Sequence, residues 1–200
     1  MLRAALEVIA ERGFTDTRIA DVAERAGTSP ALVIYYFQTK DRLLTEAIRL
    51  AEDRWFAQGV GRMVAIPDAV DRLEEVITWI CIPPPTVGPG EDDLPDPWSL
   101  WIDLWARSQR HPEVARVREE FDARWRSAIA RAVADGQSEG KFDATDANGF
   151  AIALLALLDG LAVQLALGDP AVSPAFALET AMGFASRALG FGWPVDDAFE

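Results

Sequence analysis

Apolar residues recur every three or four positions along most of this chain, and that spacing constrains the fold more than any other feature. It places apolar side chains along one face of an α-helix, whereas a half-buried strand would need strict alternation. Only residues 31–37 are rich in the β-branched and aromatic side chains that strands favour. Two hundred residues, half of them hydrophobic, suffice for a buried core. We therefore predict an all-α protein of one or two compact domains.

Capping residues predict where the first helices begin and end. Gly13 ends a helix that starts near the N-terminus, and Thr17 is in a position to cap a second helix, which Gly27 ends. Ser29 followed by Pro30 is the order typical of an N-cap and a first helical residue. It predicts a short third helix that continues to residue 37.

Longer helices follow, and one segment interrupts them. Residues 83–97 contain six prolines and two glycines, which predicts a loop that is placed to act as a lid. Around it, apolar spacing predicts helices that begin near residues 39–41 and 67 and that span residues 98–109, 113–135, 145–167 and 173–189.

The charged residues are unevenly distributed. The net charge is −13, but residues 1–50 carry seven basic and seven acidic side chains, so the acidic excess lies in residues 51–200. An acidic chain ordinarily disfavours nucleic-acid binding. A neutral N-terminal part weakens that objection, because only the contacting face must attract phosphate.

The composition excludes several other classes of protein. A single cysteine, Cys81, excludes an internal disulfide. One histidine, His111, is too few for a structural zinc site, which usually takes four His or Cys ligands. We therefore expect no metal and no cofactor. The N-terminal residues lack an apolar core followed by a cleavage site, so we expect a cytoplasmic protein.

The longest apolar run covers residues 150–168 and has Asp159 near its centre. An ionisable group at the centre of a bilayer is costly, and basic anchors are missing from both flanks. A helix that is apolar nearly all round is otherwise buried in a core or in an oligomer interface. We expect burial of this helix and no membrane association.

Three short helices within the first fifty residues have the size of a helix-turn-helix unit. In such a unit one helix braces across the DNA backbone, and the next places its N-terminal residues at the base edges of the major groove. Residues 19–26 would brace and residues 30–37 would read, with Gly27 in the turn. The free N-terminus of the reading helix also presents backbone amides to phosphate.

Several segments of residues 1–48 match the pattern of one known family: Gly13-Phe14, residues 17–27 (TRIADVAERAG), Thr28-Ser29, residues 33–37 (VIYYF) and residues 40–44. With these segments, residues 1–48 resemble the TetR family of transcriptional regulators. The resemblance implies a three-helix DNA-binding domain at residues 1–48, with its helix-turn-helix motif at about residues 19–38. It also implies a helical ligand-binding and dimerisation domain at residues 49–200.

The same resemblance implies a set of DNA contacts. Arg18 and Lys40 would contact backbone phosphate. Tyr35 and Tyr36 would place their hydroxyls on phosphates or base edges; the alternative is that they are ordinary packing aromatics. The groove itself would face Thr28, Ser29, Pro30, Ala31 and Leu32, the last three of which are suited to thymine methyls and groove shape.

Two positions depart from the family pattern. Ile34 stands where tyrosine is usual, and Ala20 stands where a basic residue is frequent. Each departure removes a potential phosphate contact. We therefore expect a shallower dependence of DNA affinity on salt than in relatives that have both groups.

Two further pairs of segments lie beyond residue 48: residues 101–105 (WIDLW) with residues 111–113 (HPE), and residues 136–142 followed by residues 157–161 (LLDGL). In these segments the remainder of the chain resembles one subset of the TetR family, which includes choline-responsive repressors.

Trp98, Trp101 and Trp105 recur on one face of their helix. Two interpretations stay open: the indoles fill the core, or they form the wall of a ligand pocket, since pockets are mostly apolar. Indole faces also attract cations, so a cationic ligand is one possibility in this acidic part of the chain. Asp159 has the alternative of a structural carboxylate. The candidate ligand-binding residues are Trp98, Trp101, Trp105, Phe121, Trp125 and Asp159.

The last two helices are the predicted dimer interface, in a four-helix arrangement. A dimer would present two reading helices to the half-sites of a palindromic operator in double-stranded DNA. The small residues expected to allow close helix approach in the interface are Ala151, Ala153, Ala156, Ala177, Ala181 and Ala185.

These features together predict a ligand-responsive, sequence-specific DNA-binding regulator that is not an enzyme. Its expected form is a homodimeric repressor that a small-molecule effector releases from its operator. The alternatives are an all-helical ligand-binding module or an all-helical enzyme, either one without DNA-binding output. With a single histidine, such an enzyme would depend on carboxylates or tyrosine for acid–base chemistry, and no spacing pairs them convincingly.

Overall fold

The computed structural model describes residues 1–82 and 97–193, and every regular element in these ranges is a helix. The prediction of an all-α protein is confirmed for this part of the chain. The predicted lid lies outside the described residues, apart from Pro97. The helices are α1 (Leu2–Asp16), α2 (Ile19–Arg25), α3 (Pro30–Phe37), α4 (Lys40–Val64), α5 (Ala69–Cys81), α6 (Pro97–Ser108), α7 (Pro112–Ser138), α8 (Ala147–Ala166) and α9 (Pro174–Leu189).

The chain packs as two compact units. The first unit contains the described residues of Met1–Phe56 and Pro85–Phe121, and the second unit contains those of Ala57–Pro84 and Asp122–Glu200. Helices α1, α2, α3 and α6 therefore belong to the first unit, whereas α4 and α7 contribute residues to both. A functional boundary at residue 48 stays a prediction.

The junction between α1 and α2 is only partly as the sequence predicted. Gly13 has a φ of 75°, which interrupts the helical conformation of α1 at the predicted position. The prediction that Thr17 caps α2 is wrong: Thr17 is buried, and its hydroxyl donates to the carbonyl oxygen of Gly13 at 2.8 Å. Arg18 occupies the N-cap position instead, and its N–H donates to the Asp21 carboxylate at 3.2 Å.

The turn into α3 and the start of that helix follow the prediction. Gly27 has a φ of 63°, a conformation that glycine adopts without steric cost. The Ser29 hydroxyl oxygen accepts a hydrogen bond from the Leu32 N–H at 3.2 Å, and Pro30 is the first helical residue. The buried side chains of α1 to α4 in the first unit include Leu6, Ile9, Phe14, Val22, Val33, Leu43 and Leu44.

The second unit is built around α5, α8 and α9, which pack against one another. α5 begins at Ala69, slightly after the predicted start at residue 67, because Asp68 caps it: its carboxylate accepts from the Val70 N–H at 2.8 Å. Gly59 of α4 allows a close approach, since a Cβ at this position would lie 2.5 Å from the Trp79 indole nitrogen.

Helix α8 has the apolar character that its sequence indicated. By length and composition alone α8 could cross a membrane, but helices in the cores of soluble proteins also meet this criterion. Asp159 lies in its C-terminal half and is partly exposed. One side of α8 is buried within the second unit, and on the other side Ile152, Ala153 and Ala156 are exposed.

The role predicted for four of the small residues in α8 and α9 needs correction. Ala151, Ala177, Ala181 and Ala185 are fully buried within the single chain, so they are not available to a second copy. They face the interior because of their phase on the helices, and there their small size permits α8 and α9 to approach each other.

Candidate DNA-reading surface and aromatic cluster

Helix α3 exposes four large apolar or aromatic side chains to solvent. Val33 is its only buried residue, whereas Tyr35 is 77% exposed and Tyr36 is 58% exposed. Leu32 and Ile34 are exposed as well. A short helix that presents large apolar side chains to solvent indicates a surface that another molecule covers.

The residues at the start of α3 are accessible for contact. Pro30 and Ala31 are exposed in the first turn, next to Ser29, whose hydroxyl oxygen accepts from the Leu32 N–H. Thr28 is half-buried, and its N–H donates to the Ala23 carbonyl oxygen at 2.9 Å. The structure thus brings the predicted groove residues together at one end of an exposed helix.

Several basic side chains of the first unit are already paired with carboxylates. Arg12 pairs with Asp21 at 3.1 Å. Arg25 lies between two carboxylates, and its hydrogen bond to Glu11 lowers the pKa of that carboxyl group. Arg49 pairs with Glu120 at 2.7 Å. These cations have carboxylate partners and contribute little to the attraction of phosphate.

Three cations near the reading helix make no ion pair with a carboxylate inside the described ranges: Arg18, Lys40 and Arg42. Arg18 is exposed immediately before α2. The Lys40 ammonium donates to the carbonyl oxygen of Thr15 at 2.7 Å, which still leaves donors available. The Arg42 guanidinium donates to the Gln38 side-chain oxygen at 3.2 Å. The attractive charge therefore lies next to α2 and α3.

Arg42 is a residue that the sequence analysis missed. It is exposed in the first turn of α4, and its partner Gln38 is the residue that ends α3. Gln38 has a φ of 65°, the only positive φ among the described residues other than glycine. The available signal was the position of Arg42 two residues after Lys40, directly beyond the reading helix.

Four of the six candidate ligand residues form one aromatic cluster in the first unit. The ring centroids of Trp98 and Trp105 are 6.1 Å apart, and those of Trp101 and Trp105 are 5.9 Å apart. Trp101 also meets Phe121 edge to face, with centroids 5.8 Å apart. Phe121 is fully buried and Trp105 is partly exposed, so the cluster extends from the core towards the surface.

The other two candidates belong to the second unit. Trp125 is buried there and lies close to Gly59, together with the Trp79 indole. Asp159 lies on α8 and is partly exposed. The sequence alone does not show that Trp125 and Asp159 lie apart from the aromatic cluster. The spacing of residues along a helix does not indicate which compact unit each helical turn belongs to.

Glu52 is a second residue that the sequence analysis missed. It is one of three buried polar residues in the described part of the chain, and the residue is only 4% exposed. It lies on α4 of the first unit, at helical spacing from Ile48 and Trp55. This carboxylate on the apolar face of a helix was the signal. Within the described ranges no three His, Cys, Asp or Glu side chains form a group that could hold a metal ion.

Comparisons with known families agree with this architecture. The model of the family "Bacterial regulatory proteins, tetR family" matches residues 1–47. The model described as "BetI-type transcriptional repressor, C-terminal" matches residues 86–190. The transcriptional regulator BetI of Brucella abortus is 28% identical over 180 residues, which cover 89% of this chain and 84% of that protein.

Solved structures give the same result. A transcriptional regulator from Saccharomonospora viridis, crystallised in complex with choline, is 31% identical with a TM-score of 0.80, and the match covers 94% of each chain. A TetR-family regulator from Rhodococcus sp. is 26% identical with a TM-score of 0.77, and the match covers 94% of this chain and 95% of that one. The exposed reading helix, the two family matches and these neighbours have one explanation: the chain belongs to the TetR family, with a C-terminal part of the BetI type, and is a ligand-responsive DNA-binding transcriptional regulator rather than an enzyme.

Proposed function

We propose that this regulator is a homodimeric repressor that binds a palindromic operator and is released by a small organic cation of the quaternary ammonium class. The exposed apolar surface of α3 carries the DNA-binding part, together with the flanking cations that make no ion pair with a carboxylate in the described part of the chain. The cation-binding part rests on the aromatic cluster and on the similarity to the choline-bound regulator of Saccharomonospora viridis.

The proposed DNA contacts fall into two groups. Base edges are contacted from α3, whose first turn offers apolar side chains suited to thymine methyls and groove shape, with Tyr35 and Tyr36 further along the helix. Backbone phosphates are contacted by Arg18 and Lys40, and we add Arg42. The complete proposed set is Arg18, Thr28, Ser29, Pro30, Ala31, Leu32, Tyr35, Tyr36, Lys40 and Arg42.

A gel shift against the DNA that flanks the protein's own gene tests the DNA-binding part. A specific complex that resists competitor DNA is the expected result. If no complex forms under conditions in which the protein is folded, a ligand-binding module without DNA-binding output becomes the better description. The fragment that shifts is then shortened to define the operator.

The proposed effector site is the cluster of Trp98, Trp101, Trp105 and Phe121. Aromatic faces attract cations, most strongly where water is excluded. Trp125 and Asp159 belong to the second unit and stay separate candidate ligand-binding residues there.

Tryptophan fluorescence with two matched probes tests the cationic character of the effector. Choline and 3,3-dimethyl-1-butanol have nearly the same shape, but only choline carries a positive charge. We expect choline to change the fluorescence and to displace the operator, and the neutral alcohol to bind at least about tenfold more weakly. Equal binding of both probes would show that shape and apolar burial, not charge, determine recognition.

The proposed dimer interface uses the outer faces of α8 and α9. Ile152, Ala153, Ala156 and Gly160 form an exposed apolar strip along α8, and small side chains permit close helix approach. Light scattering should give the mass of a dimer. We expect the interface of this dimer to bury at least about 1,000 Å² of surface in total. The variant Ala156→Arg should be monomeric, while Ala134→Arg, at an exposed alanine on α7, should remain dimeric. If Ala156→Arg also remains a dimer, the interface lies elsewhere.

A further inference from the structure

Helix α6 has two faces with different partners. With about 100° of rotation per residue, Trp98, Trp101 and Trp105 lie on one face, and Asp103 and Arg107 lie on the opposite one. The indole face forms the aromatic cluster. The polar face contacts residues that border the DNA-reading helices within the first unit.

Asp103 binds the break in α1. Its carboxylate accepts a hydrogen bond from the backbone N–H of Phe14 at 2.9 Å, across 89 positions of the sequence. At Gly13, whose φ is 75°, the chain departs from regular helical geometry. The Asp103 carboxylate provides the acceptor for the Phe14 N–H at that point. The bond is partly buried, and Phe14 is almost completely buried, so water competes poorly for this amide.

Arg107 holds the same region and, in addition, the start of α4. Its guanidinium lies over the Phe14 ring, 4.1 Å from the centroid, and pairs with the Asp41 carboxylate at 2.6 Å. The neighbouring Lys40 donates to Thr15, in the segment that follows the break. These contacts converge on the chain that enters α2 and on the chain that leaves α3.

We propose that Asp103 and Arg107 are positioning residues for DNA binding, which hold the α2–α3 pair in its reading orientation from both ends. Neither residue touches DNA. By fixing its orientation in advance, they reduce the conformational entropy that the reading helix loses when it enters the groove. The α1 break and the α4 N-terminus are 25 or more residues apart in sequence, and α6 binds both, in addition to the direct bond from Lys40 to Thr15. The inference rests on the DNA-binding part of the proposed function.

The sign of the charge effect makes the test sharp. Removing a carboxylate from the first unit should strengthen DNA binding by charge alone, since phosphate is negative. If Asp103 is a positioning residue, its removal should instead weaken DNA binding. We expect Asp103→Ala to weaken operator binding about tenfold, the order of magnitude of one lost hydrogen bond to a partly buried amide in each subunit of a dimer. The salt dependence should keep its slope, because no phosphate contact is lost.

Two further measurements separate positioning from a general loss of structure. Asp103→Asn keeps an acceptor oxygen and should restore most of the affinity, and hydrogen exchange of the Phe14 amide should be faster in the alanine variant than in the asparagine variant. Glu113→Ala removes an exposed carboxylate from α7 of the same unit and should leave affinity unchanged or slightly raise it. The thermal midpoint serves as the readout of folding.

Specific outcomes would overturn the proposal. It fails if Asp103→Ala binds the operator as tightly as the wild type or as Glu113→Ala, or if Asp103→Asn is as defective as the alanine variant. If Asp103→Ala does not fold, Arg107→Lys decides, since it keeps the charge but loses the planar stacking on Phe14. Weaker binding at an unchanged salt slope is then expected, and wild-type affinity refutes the positioning role. Wild-type operator binding is established first, so a failure of the proposed function is recognised separately.

Discussion

Lys40→Ala tests whether the lysine at the start of α4 contacts DNA or only stabilises the first unit. The structure supports two roles for this ammonium group. It donates to the Thr15 carbonyl oxygen at 2.7 Å, which ties α4 to the α1–α2 junction. It has no carboxylate partner within the described ranges, and it retains donors for a phosphate. The two roles differ in how they respond to salt.

The magnitude follows from counterion release. Each phosphate contact contributes about 0.9 to the slope of log affinity against log salt concentration. A dimer on two half-sites has two copies of Lys40, so the slope should become shallower by about 1.8. Between about 50 and 200 mM salt, the ratio of wild-type to variant affinity should therefore fall roughly tenfold. Loss of the Thr15 hydrogen bond lowers the affinity at all salt concentrations equally and leaves the slope unchanged.

Fluorescence anisotropy with a labelled operator at several salt concentrations measures both effects. Arg42→Ala should reproduce the change in slope if our additional contact is correct. Arg116→Ala removes the same charge from an exposed position on α7 and should leave the slope unchanged. Parallel plots for the wild type and Lys40→Ala, displaced vertically, would refute the phosphate contact and leave Lys40 a purely structural role.

Three further predictions concern the two units. Trp101→Ala should weaken choline binding by about 1–3 kcal/mol in fluorescence titrations while the operator affinity of the ligand-free protein barely changes; unaltered choline affinity would place Trp101 in the core alone. Gly59→Ala should lower the free energy of unfolding by about 1–3 kcal/mol in urea, because its Cβ would lie 2.5 Å from the Trp79 indole nitrogen. Gly61→Ala, where the Cβ meets open space, should raise the same quantity by up to about 1 kcal/mol, and identical effects at both glycines would contradict the packing argument. Burial raises the pKa of the Cys81 thiol to about 12, so this thiol should react with an alkylating reagent at neutral pH only when the protein unfolds, and rapid labelling of the native protein would contradict its burial.

The sequence determined those features that depend on neighbours within one or two helical turns. Helical spacing predicted an all-α fold, and Ser29 with Pro30 predicted the start of the reading helix, because a cap and a first turn need only adjacent residues. The spacing of Trp98, Trp101 and Trp105 likewise implied a shared face, and the structure places the three indoles in one cluster.

Other features were decided by tertiary structure alone. Thr17 carries the right side chain for a cap, but its hydroxyl donates to Gly13. Ala151 and Ala181 are small enough for a dimer interface, but their positions around the helices point them into the core of the same chain. Asp103 and Arg107 carry no local signal of their partners, which lie 89 and 66 positions away. Hydrogen bonds over such separations form only after the helices have packed, because the free energy that orients one helix against another comes from buried surface and not from the local chain.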